Sequence, residues 1–407
     1  MARYGVIDVA NLFFRCLHVT QGDAFTKSGM ALAIIFRSLA KLHRDLKVDH
    51  MVFCIEGKSW RYQTYPQYKA KRRVDKLSRD LKEQEEDAVA MSVLEDLVEY
   101  LRERTRCTVL SAPRIEGDDF IARWVQLHPD DEHVILSGDS DFVQLLAPNV
   151  TIVDGAQERI ITLGGVRTYD GDALTFTIRT DSGKIKVGPT IAAAKKAHDA
   201  DERAAEKAHI LAEKERAKAH MLMETQRSEA DPTHKKRPYV ATDYPRTDYV
   251  FTPEPEWHKK ALFIKIVRGD SGDGIFSSYP GVRYKGSKNK IGIEEAWNDR
   301  NAGGYNWNNF MLQSWEKLMG ADANGNAIKK TVRVMDEFSF NAGLIDLTQQ
   351  PEDVKDEMDA AIVEAVQKQP VGNVGIHFLR FCDRQNLPSI AKEATGHAGY
   401  LNAPYSK

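Results

Sequence analysis

Acidic residues recur at the ends of the apolar, strand-like runs in the first part of the chain. Runs at 4–8, 50–56, 107–110 and 133–137 are each closed or followed by carboxylates: Asp8, then Glu56, then Glu116, Asp118 and Asp119, then Asp139 and Asp141. Because the carboxyl ends of parallel strands meet at one edge of a sheet, we expect these acids to converge on one crevice. A later pair, Asp270 and Asp273, lies three residues apart beside glycines.

Converging carboxylates repel one another and raise each other's pKa unless cations lie among them. Mg²⁺ and Mn²⁺ are hard cations that prefer oxygen ligands. Two such ions about 4 Å apart activate water and stabilise the leaving oxygen of a phosphodiester, without a protein nucleophile. Taken singly, each acid is more typical of a helix cap or a surface turn. Their recurrence after four successive runs favours a metal site.

A basic and aromatic stretch follows the second acidic run end. Residues 60–73 read WRYQTYPQYKAKRR and are continued by Lys76, Arg79 and Lys82. Such a mixture predicts a phosphate track on which bases stack, with Arg61, Arg73 and Lys76 as substrate contacts. The alternative is a solvated helix face whose long basic side chains cover apolar surface.

The acidic and basic residues described above lie in a region where strand-like and helical patterns alternate. Helical spacing of apolar residues predicts helices over about 29–47, 80–106 and 116–127, between the four strand-like runs. The alternation predicts an α/β domain with a mostly parallel sheet covered on both faces. Further β-prone segments follow at 150–153, 159–163 and 174–178.

The rest of the chain divides by composition. We expect an α/β core at 1–169 and an insertion at 170–255, in which residues from about 191 to 227 form an exposed, charged helical arm, either one helix or a helical hairpin. A helical region follows at 256–385, then a tail at 386–407. Seven basic residues of the insertion either extend a nucleic-acid track or belong to a solvated or docking arm: Lys184, Lys186, Lys195, Lys196, Lys235, Lys236 and Arg237. We expect the tail, with Tyr400 and Leu401, to pack on the body rather than to dock a partner.

Composition narrows the class of protein. The chain has 407 residues, 57 Lys+Arg against 59 Asp+Glu, and four scattered cysteines. These values exclude a wholly disordered chain and a disulfide framework, and no apolar run reaches the ~20 residues of a membrane span. A reducing, cytoplasmic setting is predicted. The net charge of −2 is the sum of two regions of opposite charge that nearly cancel. One is an acidic cluster that divalent ions would neutralise, and the other is a basic rim.

Together the motifs resemble the flap endonuclease and 5′–3′ exonuclease family, in particular its phage-type ribonuclease H branch. The resemblance rests on VIDVAN around Asp8, YKAKR at 68–72, EGDD at 116–119, SGDSDF at 137–142 and GDSGD at 269–273. It implies a PIN-like three-layer nuclease domain with a basic arch at about 58–90. A helical region with a helix–three-turn–helix that grips duplex follows.

The resemblance also implies roles by position. Asp8, Glu116 and Asp118 match ligands of a first metal, and Asp119, Asp139, Asp141, Asp270 and Asp273 match acids that serve a second. Tyr68, Lys69 and Arg72 match residues that position the scissile phosphate, with Asp8 and Asp139 beside them. Gly281, Lys285, Lys288 and Lys290 fall in the duplex-gripping loop. Glu56 stands where the family has Asp, and the loop at 280–292 is longer than usual.

The expected activity is that of a two-metal, Mg²⁺-dependent 5′ nuclease, with Mn²⁺ as a substitute. Its expected substrates are branched or 5′-ended duplex DNA and RNA–DNA, as in primer removal during replication or repair. We expect a monomer in the host cytoplasm, without membrane contact, that works beside a single-stranded-DNA-binding protein or sliding clamp. The alternatives are a non-catalytic structure-specific DNA-binding protein of the same fold and a PIN-type endoribonuclease.

Overall fold

A single eight-stranded sheet forms the centre of the molecule. The computed structural model describes residues 1–156, 158–169, 173–174, 191–245, 255–321 and 326–406. The strands are β1 Arg3–Asp8, β2 His50–Cys54, β3 Thr108–Leu110, β4 Glu132–Leu136, β5 Val150–Asp154, β6 Arg159–Thr162, β7 Gly165–Thr168 and β8 Ala173–Leu174. Their order is β3-β2-β1-β4-β5-β6-β7-β8. The first five pair in parallel and the last three are antiparallel, which confirms the mostly parallel sheet.

Helices surround this sheet and extend the chain beyond it. Those before the insertion are α1 Val9–Val19, α2 Ala24–Leu46, α3 Arg61–Thr64, α4 Ala70–Leu77, α5 Leu81–Arg104 and α6 Gly117–Leu127. The later ones are α7 Ile191–Ala230, α8 Trp257–Arg268, α9 Ile293–Asp299, α10 Tyr305–Met311, α11 Val334–Ile345, α12 Glu352–Val366, α13 Val374–Arg384, α14 Pro388–Ala391 and α15 Ala394–Leu401. A short 3₁₀ helix covers Ser140–Leu145.

The sheet lies between two apolar cores, which makes the domain three-layered. Side chains alternate between the faces of a strand, so Val6 enters one core and its neighbour Ile7 the other. The core that holds Ile7 is completed by α1, α2, α5 and α13, and the core that holds Val6 by α6, α8 and α12. Both faces are therefore covered, as a parallel sheet requires.

The insertion contains one long helix, α7, and a chain that returns along it. Glu213 accepts hydrogen bonds from the Tyr239 hydroxyl and the Thr242 backbone N–H, both at 2.9 Å. Glu224 accepts one from the Arg237 N–H at 2.8 Å. The arm is thus a single helix bordered by a non-helical return, and no second helix appears in residues 231–245. The predicted Lys184 and Lys186 contacts lie outside the described residues.

The helices of the region 256–385 are interrupted at one place by strands that the sequence analysis did not predict. An antiparallel hairpin, β9 Ser314–Ala321 and β10 Ala327–Arg333, separates α10 from α11. The sequence carries Asn324-Gly325 between these segments, a dipeptide typical of hairpin turns. Helical periodicity in the flanking segments masked this short signal.

The C-terminal tail packs on the body. Helices α14 and α15 bring Tyr400 and Leu401 into the core beside α2, and both side chains are buried. His50 from β2 pairs through Nδ1 with the Ala403 carbonyl at 2.9 Å. The expectation of a packed tail is confirmed. Within the described parts of the chain, no helix is long and apolar enough to cross a membrane.

Candidate metal and phosphate site

Asp8 occupies the carboxyl end of the central strand β1. Its Oδ1 caps α1 by accepting the Asn11 N–H at 3.1 Å, and its Oδ2 accepts the Ser137 hydroxyl at 2.9 Å. The pKa of Asp8 is raised to about 7, mainly by burial and to a smaller extent by the charges of Asp139 and Glu56, although the hydrogen bonds from Asn11 and Ser137 lower it. A nearby cation would relieve this unfavourable ionisation.

Three more acids lie at the start of α6. Glu116, Asp118 and Asp119 each offer an oxygen atom, and these oxygens lie within 4.8 Å of one another. Burial, followed by the charge of Asp119, raises the pKa of Asp118 well above its ordinary value. The Asp118 Oδ1 accepts the Asp119 N–H at 2.7 Å. A set of crowded carboxylate oxygens fits a hard divalent cation.

Glu116 differs from its neighbours because basic groups surround it. Its Oε2 accepts Arg61 Nη1 at 2.6 Å and the Ser59 hydroxyl at 2.5 Å, and Lys69 Nζ donates to its Oε1. Burial opposes ionisation, but the charges of Arg61 and Lys69 outweigh it and hold the pKa of Glu116 below its ordinary value. Glu116 is therefore an ionised anchor of the cluster.

Arg61 is misassigned by the sequence prediction. Its side chain is only 2% exposed, and it binds Glu116 and Asp119 while Nε donates to the Leu344 carbonyl at 2.8 Å. An arginine in these contacts cannot reach a phosphate in solvent. The prediction that Arg61 contacts substrate is wrong, and the side chain instead holds two site carboxylates in place.

Asp119 lies behind the other acids. Its oxygens accept Arg61 Nη1 and Nη2, each at 2.9 Å, and Trp60 Nε1 donates to Oδ2 at 2.9 Å. Its side chain is fully buried. In the described arrangement Asp119 anchors Arg61, and its service to a metal stays a prediction.

Glu56, two residues beyond β2, lies at the rim of the crevice. Its Oε2 accepts the N–H of Gly117, the first residue of α6, at 3.0 Å. Its side chain is 45% exposed, and Lys69 Nζ lies 3.7 Å from its Oε1. The longer side chain of Glu thus reaches the cluster while it remains accessible to solvent.

Asp141, which follows β4, and Asp270, from the turn at 270–273, both contact the side chain of one lysine. Lys265 from α8 donates to Asp141 Oδ1 and lies 2.8 Å from Asp270 Oδ2. Asp139 caps the 3₁₀ helix, since its Oδ1 accepts the Asp141 N–H at 2.9 Å, and it is exposed. Burial opposes ionisation of Asp270, but Lys265 holds the pKa of Asp270 below its ordinary value. Residues more than 120 positions apart therefore share one crevice.

The basic stretch is fixed to the late acid pair at its base. The Lys69 N–H donates to the Asp273 carbonyl at 2.8 Å, and Tyr68 Oη donates to Asp273 Oδ2 at 3.0 Å. Arg72 Nη2 lies 2.7 Å from Asp273 Oδ1. Lys69 adopts a left-handed conformation with φ of 50°, and its amine donates to Glu116. Tyr68, Lys69 and Arg72 are thus brought together at the crevice.

Beyond this base, α4 is exposed along its length. Lys71–Asp80 contains no buried residue, and Lys76 lies on this surface. Arg73 packs over the Tyr62 ring at 4.9 Å and donates to the Pro66 carbonyl at 2.9 Å. The accessibility of Lys76 and Arg73 fits the predicted phosphate track, and their contact with substrate stays a prediction.

The predicted duplex-gripping loop joins α8 to α9. Gly281 has φ of 72°, and no atom lies within 4 Å of the Cβ it lacks, so its backbone is open to a ligand. Lys285, Lys288 and Lys290 are exposed. Glu295 fixes the loop from within, because its Oε2 accepts the N–H groups of Gly286 and Gly292, each at 2.9 Å.

Several site residues had no signal strong enough to be predicted. Lys265 sits in an apolar helix five residues before Asp270, and only its helical phase relative to Ala261 marks it as inward-facing. Ser59 and Ser137 bind Glu116 and Asp8 through hydroxyls. Ser137 belongs to a motif, but neither serine has a spacing that distinguishes it from an ordinary turn residue.

Comparison with known proteins finds a family match in the first part of the chain. Residues 3–170 match the model of the 5′–3′ exonuclease N-terminal, resolvase-like domain. The DNA polymerases I of Mycobacterium bovis and Mycobacterium tuberculosis are 26% identical over 156 residues, which cover 36% of this chain and 16% of each polymerase. The matched region is therefore a small part of those relatives.

Two solved structures from bacteriophage T5 are similar over most of the chain. One is a T5 protein co-crystallised with metal ions, with 16% identity and a TM-score of 0.47, covering 89% of this chain and 99% of that one. The other is a T5 flap endonuclease in a complex with DNA and metal ions, with 15% identity and a TM-score of 0.49, covering 90% of this chain and 100% of that one.

Proposed function

We propose that this chain, whose residues 3–170 match the 5′–3′ exonuclease N-terminal, resolvase-like domain, is a structure-specific 5′ nuclease that hydrolyses phosphodiester bonds. The proposal rests on the proximity of a cluster of carboxylates to two basic side chains. Carboxylates from four strand ends and from the turn at 270–273 share one crevice, and Lys69 and Arg72 border it through their contacts with Glu116 and Asp273.

The donor set fits two Mg²⁺ ions, with Mn²⁺ as a substitute. Asp8 and Asp118 have raised pKa values because burial leaves their charge poorly compensated, which is the state that a divalent cation relieves. Asp8, Glu56, Glu116 and Asp118 would hold one ion. Asp139, Asp141, Asp270 and Asp273 would hold or hydrate the other. When bound, the ions supply an activated water and charge stabilisation for in-line displacement.

The protein's own groups orient the substrate. Lys69 and Arg72 place positive charge at the edge of the crevice, where a phosphate oxygen that gains charge in the transition state would lie. Tyr68 is buried and holds Asp273 and Glu116 through its hydroxyl, so we assign it to positioning. The exposed lysines of the α8–α9 loop would bind duplex phosphates and set their distance from the crevice.

We further propose that the substrates are branched or 5′-ended duplex DNA and RNA–DNA, as in primer removal during replication or repair. The cysteines at 16, 54, 107 and 382 are buried and free, which favours a reducing compartment such as the host cytoplasm. A monomer that works beside a single-stranded-DNA-binding protein or a sliding clamp is the corresponding expectation.

The test is the substitution Asp139→Asn, assayed on a 5′-labelled flap substrate. Asp139 is exposed, so the variant should fold, and cleavage with Mg²⁺ should collapse by about 10³-fold or more because a charged ligand is lost. Binding of the same substrate with Ca²⁺ should persist. Asp243→Asn, at an exposed acid beside the α7 arm, is the matched control and should cleave normally.

Retained cleavage by the Asp139→Asn variant would overturn the assignment. A wild-type protein that binds flaps without cutting them would instead be a structure-specific DNA-binding protein. Cleavage restricted to single-stranded RNA would indicate a PIN-type endoribonuclease.

A further inference from the structure

The β9–β10 hairpin leaves the helical region and is exposed on both faces. Its register pairs Trp315 with Val332, Lys317 with Lys330 and Glu316 with Thr331. Described residues along β10 from Ala327 to Thr331 are all exposed, as is Arg333. A two-stranded ribbon by itself is only marginally stable in water. The hairpin therefore needs contacts with the rest of the protein at its base.

Support comes from the α8–α9 loop and from α11. Trp315 Nε1 donates to the Ser278 carbonyl at 2.9 Å, three residues before Gly281. Lys317 Nζ lies 2.5 Å from Glu337 on α11. The Val334 N–H donates to the Gln313 carbonyl at 2.8 Å and closes the base. The hairpin is therefore fixed to the same loop that presents Gly281 and the exposed lysines.

Charge distinguishes the two strands. Strand β10 carries Lys329, Lys330 and Arg333 and no acid, and Glu316 is the only acid among the described hairpin residues. Glu316 pairs with Lys329 at 3.3 Å across an exposed surface, where such pairs contribute little. Because side chains alternate between the faces of a strand, Lys329 and Arg333 lie on one face of the hairpin and Lys330 lies on the other, so both faces carry positive charge. Phosphates border a DNA groove on both sides, and a two-stranded ribbon has the width that the major groove of duplex DNA admits.

We propose that the β9–β10 hairpin is a second duplex-binding element that extends the grip of the α8–α9 loop. The inference rests on the proposed function. A seven-residue strand spans about 23 Å at about 3.3 Å per residue, which corresponds to about seven base pairs at 3.4 Å each. The hairpin thus makes binding depend on the length of duplex beyond the cleavage point.

The test compares two charge-reversal variants of the full chain. One carries Lys329→Glu, Lys330→Glu and Arg333→Glu, and the matched control carries Lys207→Glu, Lys214→Glu and Lys218→Glu on exposed positions of α7. Both change the net charge equally. Affinity for flap substrates with progressively longer duplexes is measured in Ca²⁺ by fluorescence anisotropy, at several salt concentrations.

For wild type and control, affinity should rise as the duplex lengthens past the α8–α9 loop. The hairpin variant should lose that rise, bind long duplexes about 10-fold or more weakly, and show a salt slope reduced by up to about 3. Its cleavage of the shortest substrate should match the control. A second variant with alanine at the same three positions should show a smaller loss in the same direction.

A hairpin variant that keeps the wild-type length dependence overturns the proposal. Loss of a protein dimer in the hairpin variant, with unchanged DNA binding, would also overturn it, because the strands would then pair with a second copy. Failure of the proposed function is separate, since it would appear as absent cleavage in wild type while the binding series still reports on the hairpin.

Discussion

Replacing Arg61 by methionine should destabilise the fold strongly and reveal how the acidic cluster is held together. Arg61 donates to Glu116 and Asp119 through three hydrogen bonds of 2.6 to 2.9 Å. All three side chains are at most 2% exposed. Removing one partner of a buried ion pair leaves uncompensated charge and costs about 3–5 kcal/mol. We expect a loss of that size for Arg61→Met.

The matched control is Arg72→Met, since Arg72 also pairs with a site carboxylate. Its side chain is 61% exposed and lies 2.7 Å from Asp273 Oδ1, and exposed pairs contribute about 0–1 kcal/mol. Urea unfolding followed by circular dichroism, in the absence of divalent ions, gives the free energy of unfolding for both variants. Flap cleavage should fall in both, for different reasons.

The pH dependence sharpens this prediction. In the wild type, Arg61 and Lys69 hold the pKa of Glu116 below its ordinary value, so this pairing adds stability above the unfolded pKa that is lost as the pH falls. Without Arg61 the buried carboxylate of Glu116 ionises less readily, so the variant loses stability as the pH rises. The difference between wild type and Arg61→Met should therefore be widest near pH 8 and narrow towards pH 4.

The reasoning would be refuted by an Arg61→Met variant that unfolds like the wild type at pH 8 but binds DNA poorly. That outcome would place Arg61 at the substrate, as the sequence pattern alone predicts. A loss of stability that does not change with pH would indicate packing rather than charge as the cause.

Further substitutions test other parts of the site. Gly57→Ala should lower the free energy of unfolding by about 1–3 kcal/mol and should also reduce cleavage, because a Cβ there would lie 2.3 Å from the Ala112 carbonyl oxygen. The control Gly343→Ala, where no atom lies within 4 Å of the added Cβ, should stabilise α11 slightly in the same unfolding measurements. Lys265→Met should destabilise the metal-free protein and enlarge the rise in Tm on adding Mg²⁺, because Asp141 and Asp270 lose their resident cation; an unchanged metal response in calorimetry would contradict this. Burial raises the pKa of Asp8 from 3.8 to about 7, so metal-free stability should fall as the pH rises through that interval. Asp8→Asn, which keeps the helix cap, should remove this decline of up to about 4 kcal/mol, and equal pH profiles would show that Asp8 does not cause it.

Much of the fold was predictable because its signals are local. Buried strands read as short apolar runs, and the helices between them show helical spacing, so the parallel sheet follows from alternation alone. The edge at which the acids gather follows as well, since parallel strands direct their carboxyl ends one way. The hairpin formed by β9 and β10 was not predicted, because its sequence signal is short and its two strands are exposed.

Residue types at the ends of β1 to β4 therefore determined that carboxylates gather at one edge of the sheet, and the basic stretch determined that cationic side chains adjoin that edge. Only the tertiary structure decided which groups are free to act. In the folded protein Arg61 is buried against Glu116 and Asp119, and Lys265 lies between Asp141 and Asp270. The tertiary structure also fixed the base of the basic stretch to Asp273, some 200 residues away. Burial and long-range pairing depend on how distant segments pack, and no local spacing encodes them.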